Sequence, residues 1–187
     1  MEKAKAILNE ALEKMDKAIL RISEELGRIR AGRASVGLVD HIQIEVYEDK
    51  IPLKQIANIT TPDGTTIQIT PYDKSTLKQI EKGIAESQIG LTPVNDGNVI
   101  RISVPPLTEE RRREVLKIAA KSAEEGRVVL RNIRRDAKDS LKKLVTAKEI
   151  GEDEYHFFLE ELEKELEKRM GKVDELLKKK EDEILAR

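Results

Sequence analysis

The first thirty residues carry the pattern that most restricts how this chain can fold. Apolar residues recur there with spacings that alternate between four and three without a break, at Leu8, Leu12, Met15, Ile19, Ile22, Leu26 and Ile29. This heptad spacing predicts one helix over residues 2–30 with a single apolar stripe along its length. A helix of this kind has to bury its stripe against partner helices, so the pattern predicts a helical bundle.

Two more long helices are predicted in the second half of the chain, over residues 107–147 and 151–186. Thr108 is suited to the N-cap of the first, and the two glutamates after it place negative charge near the positive end of the dipole. Gly151 lies in the break between the two helices. The apolar stripe of the last helix contains Leu159, Leu162, Leu166, Val173 and Leu177. Three such helices predict an antiparallel three-helix bundle, with each helix roughly 45–60 Å long.

Residues 31–104 follow a different pattern, which is typical of a small α+β unit. Apolar and polar residues alternate in "HIQIEVY", "TTIQITPY" and "NVIRISV", as they do in half-buried strands. A helical segment, "KSTLKQIEKGIAES", lies between the second and third of these runs. Turns are indicated by Asp-Gly pairs at residues 63–64 and 96–97. We therefore predict the α+β fold class, with a β/α/β unit inserted into a helical bundle.

The predicted bundle consists of residues 1–30 and 105–187, and the inserted domain of residues 31–104. The chain crosses between the two domains twice, through "RAGRAS" (30–35) and "VPPLT" (104–108). Two short crossings hold a domain close while permitting hinge motion. The alternative interpretation is that the glycine and prolines of these segments only terminate helices.

The charge of the chain is nearly balanced, at −1, but its distribution is uneven. Residues 105–150 carry a net charge of +5 and residues 151–187 carry −5. Because the total is near zero, an anionic partner would have to bind a local patch. There is no cysteine, which excludes disulfides, thiol nucleophiles and cysteine-bound zinc. The N-terminus has no apolar signal-peptide region and no segment is apolar enough for a membrane span, so we expect a cytoplasmic protein.

The positive charge is concentrated in "RNIRRDAKDSLKK", residues 131–143. On a helical wheel the basic residues of this region fall within an arc of about 100°. They are Arg127, Arg131, Arg134, Arg135, Lys138 and Lys142. The apolar residues form a separate stripe, made of Leu130, Ile133, Ala137, Leu141 and Leu144. Asp136 and Asp139 lie outside the basic arc, so we expect that they do not neutralise it.

Two interpretations of this basic arc remain open. It could be a solvated face paired with the acidic third helix, or it could bind an anion. Arginine favours the second, because its guanidinium binds phosphate oxygens through two parallel hydrogen bonds. The aromatic residues all lie outside this helix, so stacking on single-stranded bases is not expected. Arginines along a rigid helix are suited to the phosphate backbone of folded RNA.

The sequence offers little for catalysis. His41 and His156 belong to no metal-ligand spacing, and the chain has neither a GxxxxGK[ST] nor a GxGxxG motif. We therefore expect no catalytic residues, no metal and no cofactor. From the residues alone, a non-catalytic coiled-coil adaptor with an inserted protein-binding domain remains the alternative to an RNA-binding protein.

Several segments resemble the bacterial ribosome recycling factor family. They are "RIRAGRAS" at the end of the first helix, "VPPLTEERRREVLK" after the insert, and "RNIRRDAKDSLKKL". The resemblance extends over essentially the whole chain, and "PPLTEERR" and "RNIRRDA" are its most specific motifs. It implies an L-shaped monomer with a three-helix long arm and the inserted domain as the short arm.

The resemblance also implies a function. Members of this family act after termination, binding the ribosome through large-subunit rRNA. With elongation factor G and GTP they split it into subunits, which frees mRNA and tRNA. Carried over by position, the main rRNA contacts are Arg131, Arg134 and Arg135, with Arg127 and Lys138 on the same arc. The secondary candidates are Arg28, Arg33, Arg111 and Arg112.

The resemblance places the hinge in the two crossings. The implied hinge residues are Ala31, Gly32, Arg33 and Ala34 on one crossing, and Val104, Pro105 and Pro106 on the other. The sequence departs from the family pattern in two places. Val36-Gly37 follows "GRAS", where a proline is common, and "VYEDKIPL" lacks the usual glycine. Both departures lie in the insert or at its base and leave the basic arc unchanged.

Overall fold

The computed structural model describes residues 1–185, and its chain divides into two compact units. Unit 1 contains Met1–Leu26 and Lys117–Glu181, and unit 2 contains Gly27–Leu116 and residues 182–185. The helices are α1 (Glu2–Gly27), α2 (Leu53–Ile56), α3 (Leu77–Glu86), α4 (Glu109–Thr146) and α5 (Glu152–Leu185). The strands are β1 (Gln43–Val46), β2 (Asp49–Pro52), β3 (Ala57–Asp63), β4 (Thr66–Pro71), β5 (Pro93–Asn95) and β6 (Ile100–Ser103). No helix within residues 1–185 is both long enough and apolar enough to cross a bilayer.

Unit 1 is built from α1 and most of α4 and α5, and its core follows the predicted stripes only in part. In the predicted stripe of α5, Leu159 and Leu177 are only half-buried. The fully buried residues of α1 are Ala4, Ala11, Met15, Ile22 and Leu26. Leu8, Leu12 and Ile19 of the heptad pattern are only half-buried. The centre of the interface therefore contains alanines that the heptad pattern did not include. Small residues let helix backbones approach closely, and the larger apolar residues then pack around the contact.

One core position of α5 holds an arginine. The side chain of Arg169 is only 10% exposed. Its Nε donates to Asp16 on α1 (3.0 Å), and its Nη1 donates to the Glu165 carboxylate (2.7 Å) and to the Glu165 backbone carbonyl (3.1 Å). A buried charge is tolerated only when it is paired and hydrogen-bonded, and these contacts meet both conditions.

The ends of the long helices differ slightly from the sequence prediction. Thr108 does cap α4, because its Oγ1 accepts a hydrogen bond from the Arg111 backbone N–H at 3.1 Å. The first helix ends at Gly27, three residues before the predicted end. A Cβ on Gly37 would lie 3.0 Å from the Gly27 carbonyl oxygen, so the chain folds back closely there. Between α4 and α5 the left-handed residue is Lys148 (φ 57°), whereas the prediction placed the break at Gly151.

Unit 2 contains two antiparallel sheets packed with α3. One is the β1–β2 hairpin, and the other has four strands in the order β3-β4-β6-β5. The core is made of aliphatic side chains from both sheets and α3, including Ile44, Ile67, Ile80, Ile84 and Ile102. The three predicted strands and the predicted helical segment are confirmed as β1, β4, β6 and α3. The sequence prediction missed β2, β3 and β5, which are short, proline-containing or at a sheet edge.

The turn between β5 and β6 confirms the second of the predicted Asp-Gly turns. Gly97 has a φ of 92°, and Asp96 Oδ1 accepts hydrogen bonds from the backbone N–H groups of Asn98 and Val99, both at 2.9 Å. Arg101 donates to Oδ2 of the same carboxylate at 2.5 Å. The bonds from Val99 and Asn98 are the main reason that the pKa of Asp96 falls to about 2. The turn's own backbone thus favours the ionised form of this carboxylate.

Gly32 brings the two predicted crossing segments into contact within unit 2. Its φ is 74°, a conformation that side chains with a Cβ rarely adopt. A Cβ at this position would lie 2.7 Å from the backbone nitrogen of Leu107 and 3.0 Å from its Cγ. Glycine is therefore required here for two reasons, the backbone conformation and the close approach of the second crossing.

Gly32→Ala should lower the free energy of unfolding by about 2 to 4 kcal/mol, because it adds a clash with backbone to the cost of a positive φ. Gly90→Ala is the matched control: Gly90 has a φ of 71°, but nothing lies within 4 Å of the position that its Cβ would take. This control should cost only about 1 kcal/mol. Denaturant unfolding followed by circular dichroism measures both. Equal losses in the two variants would show that the contact with Leu107 does not constrain the chain.

Candidate nucleic-acid interface

The predicted basic arc lies on the outward side of α4 in unit 1. We call it the basic face and define it as Arg127, Arg131, Arg134, Arg135, Lys138 and Lys142. The apolar residues of the same segment face the other way, with Leu130 and Leu141 completely buried and Ala137 only 7% exposed. The predicted separation of an apolar stripe from a basic stripe on this helix is confirmed. Burial of the apolar stripe fixes the rotation of α4, and this turns the arginines outward.

The arginines of the basic face differ in how much of the side chain is accessible. Arg135 and Arg131 are 65% and 51% exposed. Arg134 is 35% exposed and Arg127 only 20%. The guanidinium groups with the most access to a partner are therefore those of Arg131 and Arg135.

Arg127 is held by carboxylates from two helices. Its Nη1 donates to Glu124 on α4 at 3.2 Å, and its Nη2 donates to Asp174 on α5 at 2.7 Å. The hydrogen bond to Asp174 is the main reason that the pKa of Arg127 is raised. Both ends of this guanidinium are thus occupied by acceptors within unit 1.

Glu124 is shared between two arginines. Arg131 Nη1 donates to its Oε1 at 3.0 Å, while Arg127 binds its Oε2. These bonds, with the one from Arg131 as the larger cause, lower the pKa of Glu124. The lowered pKa means that the folded state favours the ionised carboxylate. Its contribution to the stability of the fold is therefore present above the usual pKa and is lost as the pH falls through the lowered value.

A second ion pair joins α4 to α5 at Arg134, whose Nε donates to Glu163. Two of the six cations on the basic face are therefore paired with the acidic last helix. This agrees in part with the first interpretation of the sequence, in which the basic arc pairs with that helix. The nearest carboxylate to Arg135 is Asp136, at 3.7 Å from its Nε. The sequence analysis placed this aspartate outside the arc, and the pairing is a loose one on the surface, where such contacts contribute little.

Lys138 and Lys142 differ from the arginines, because neither has an ion pair within 4.0 Å among residues 1–185. They continue the face toward the end of α4 at Thr146. The face is thus graded, from fully engaged cations near Arg127 to cations open to solvent near Lys142.

The remaining predicted contacts do not belong to unit 1. Arg28, Arg33, Arg111 and Arg112 belong to unit 2. Arg111 is 56% exposed and forms a surface pair with Glu114 at 2.8 Å. Arg112 is 20% exposed, contacts Glu109 at 3.5 Å, and has a buried Nε without a hydrogen-bond partner among the described residues.

The acidic partners of the arginines are functional candidates that the sequence analysis missed. These pairs depend on how α5 packs along α4, and no spacing within either segment indicates that 134 pairs with 163 and 127 with 174. The opposite net charges of residues 105–150 and 151–187 indicated that the two helices could pair, but not which residues would form the pairs.

NMR titration of Glu124 should give a midpoint below the usual pKa of 4.5. In an Arg131→Gln variant the midpoint should move upward, because the hydrogen bond that contributes most to the lowered pKa is lost. A midpoint at or above the usual value in the wild-type protein would contradict the ion pairs described here.

The fold and the site define an α+β protein in which a long helical bundle carries an arginine-rich face, and which has in addition a small sheet unit. The sequence model of the family described as "Ribosome recycling factor" matches residues 22–185. The ribosome-recycling factor of Geobacillus thermodenitrificans is 47% identical over 182 residues, which cover 97% of this chain and 98% of that protein. The chain belongs to the ribosome recycling factor family.

Other relatives agree with this assignment. The ribosome-recycling factor of Bacillus cereus strain AH820 is 48% identical over 179 residues, or 96% of this chain and 97% of that protein. A solution structure of the ribosome recycling factor covers 100% of both chains, with 39% identity and a TM-score of 0.81. A chain in models for the T. thermophilus ribosome recycling factor and the E. coli elongation factor G bound to the E. coli post-termination complex has 41% identity and a TM-score of 0.71, and the match covers 98% of this chain and 99% of that one. The family resemblance predicted from the motifs is confirmed.

Proposed function

We propose that this protein recycles ribosomes after translation termination. It binds the post-termination ribosome and, with elongation factor G and GTP, splits it into subunits, so that mRNA and tRNA are released. The observation that carries this proposal is its similarity, over nearly the whole chain, to a ribosome recycling factor placed with elongation factor G on a post-termination complex. The protein works in the cytoplasm, as a monomer.

The basic face binds large-subunit rRNA in this proposal. Arg131, Arg134 and Arg135 are the main contacts, with Arg127 and Lys138 on the same helix. They extend along α4 from 127 to 138, which is about 16 Å along the helix axis. A row of cations on a rigid helix binds phosphates by position and shape, which suits folded RNA. Arg28, Arg111 and Arg112 provide secondary contacts from outside this face.

The chain itself performs no covalent chemistry in this proposal. GTP is hydrolysed by elongation factor G, and the docked protein transmits the resulting force to the ribosome. It therefore needs no catalytic residues, metal or cofactor. What it does need is a face that binds strongly enough to resist being pushed off before the subunits separate.

A hinge between the domains 1–30 plus 105–187 and 31–104 belongs to the same proposal. Its residues are Ala31, Gly32, Arg33, Ala34, Val104, Pro105 and Pro106. The two short crossings support this, because they hold the inserted domain close while permitting hinge motion.

Arg131→Glu combined with Arg135→Glu should weaken ribosome binding by about a hundredfold or more, because two charge-assisted contacts are replaced by repulsion. The slope of log K against log salt should fall by about two. Sedimentation of ribosomes with labelled protein at several salt concentrations measures both. These two side chains are the most exposed arginines of the face, so the melting temperature should change little.

Lys14→Glu combined with Lys17→Glu is the control for this experiment. It makes the same change of net charge on α1, where both lysines are exposed and form only local pairs with Glu10 and Glu13. This control should bind ribosomes nearly as the wild type does. Equal weakening in the two double variants would mean that the ribosome senses net charge and not this face.

A disulfide engineered across the two crossings tests the hinge. The locked protein should split subunits several-fold more slowly than its reduced form while ribosome binding stays close to that of the wild type. Light scattering measures splitting, and sedimentation measures binding. Unimpaired splitting by a demonstrably locked protein would sink the hinge proposal.

A further inference from the structure

Carboxylates of α5 occupy two arginines of the basic face. We propose that Glu163 and Asp174 are specificity-determining residues, because they compete with phosphate for Arg134 and Arg127. RNA of arbitrary structure then binds poorly, and only an RNA surface that contacts the whole basic face binds well. This inference rests on the proposed function, because it concerns the same rRNA-binding face. It assigns a role to acidic residues that lie beside the predicted contacts.

Carboxylates already occupy part of each of these two guanidinium groups. A guanidinium has five N–H donors and binds an oxyanion through one edge. Arg127 uses both of its Nη atoms, one for Glu124 and one for Asp174. Arg134 uses its Nε for Glu163. Any phosphate that binds these arginines has to displace a carboxylate or share the guanidinium with it.

That exchange yields little free energy to a phosphate from solution. Carboxylate and phosphate oxygens accept hydrogen bonds from arginine in similar geometry, so replacing one by the other gains little. The carboxylate is also attached to the same protein, which gives it a high effective concentration at the arginine. A single RNA phosphate in solution therefore competes at a disadvantage for Arg127 and Arg134.

The rest of the face contrasts with these two arginines. Arg135 has only the loose contact with Asp136, and Lys138 and Lys142 have no ion pair among residues 1–185. An RNA surface that fits α4 would bind these cations first. The phosphates would then be held next to Arg134. Replacement of its bound carboxylate by a phosphate would occur within the complex, with no further entropy cost of association. The paired arginines thus favour a complete fit.

The pairing is also selective within α5. Glu167 and Glu175 lie on the same helix and are exposed, yet neither forms an ion pair within residues 1–185. The acidic character of α5 alone therefore does not produce the pairs. Glu163 and Asp174 are the residues whose carboxylates reach the arginines of the basic face.

The test compares Glu163→Gln, Asp174→Asn and the double variant with the wild type. Glu175→Gln is the matched control, because it removes one negative charge next to Asp174 without breaking an ion pair. Two probes are used: intact ribosomes, and a short double-stranded RNA of arbitrary sequence. Dissociation constants for both are measured at several salt concentrations, and thermal melting checks the fold of each variant.

The double variant should bind the arbitrary RNA duplex about tenfold more tightly than the wild type, with a salt slope steeper by about one to two. Ribosome affinity should rise by much less, so the ratio of ribosome to duplex affinity should fall. Glu175→Gln should leave this ratio unchanged. A purely structural role for the pairs would lower the melting temperature and leave the ratio as it was, and that result would overturn the inference.

The Arg131/Arg135 double reversal, measured in parallel, separates two kinds of failure. If it weakens ribosome binding while the Glu163/Asp174 variant keeps the wild-type ratio, only the competition by carboxylates is wrong. If it leaves ribosome binding intact, the rRNA-binding role of the face is wrong, and the inference about its counter-ions is overturned with it.

Discussion

Burial of one apolar stripe on α4 is the constraint on which the site depends. Leu130 and Leu141 are completely buried and lie eleven residues apart, three turns along the helix. With that side fixed, Arg131, Arg134 and Arg135 have to face outward. The hydrophobic effect thus positions the cations, although it makes no contact with the RNA that they are proposed to bind. The small residues of α1, Ala4 and Ala11, allow the close packing that holds this arrangement.

The separation of charge between α4 and α5 explains how a nearly neutral chain can carry a basic face. Part of the positive charge of α4 is balanced across the interface by Glu163 and Asp174, and part is left open to solvent. Such pairs keep long side chains in place and limit binding to polyanions in general. In this account affinity comes from the open cations and selectivity from the engaged ones. A protein that has to bind one RNA surface among many benefits from this division.

Much of this could be predicted from the sequence because helical periodicity is a local signal. The three long helices, the cap at Thr108 and the face of α4 all follow from spacings within one segment. The ion pairs of Arg127 and Arg134 could not be predicted from the sequence, since they depend on how two helices pack along each other. For the same reason Arg169 was missed: only its contacts with Asp16 and Glu165 make a charged residue acceptable in the core. Strands β2, β3 and β5 were missed because their pairing partners, and not their own composition, decide their conformation.

The most direct test of the account is subunit splitting. Post-termination ribosomes are mixed with this protein, elongation factor G and GTP, and light scattering is followed. The account predicts a fall in scattering that requires all three added components, as expected for a docked body that converts the action of elongation factor G into separation of the subunits. Constant scattering with a matched elongation factor and ribosome, together with no binding by sedimentation, would contradict it.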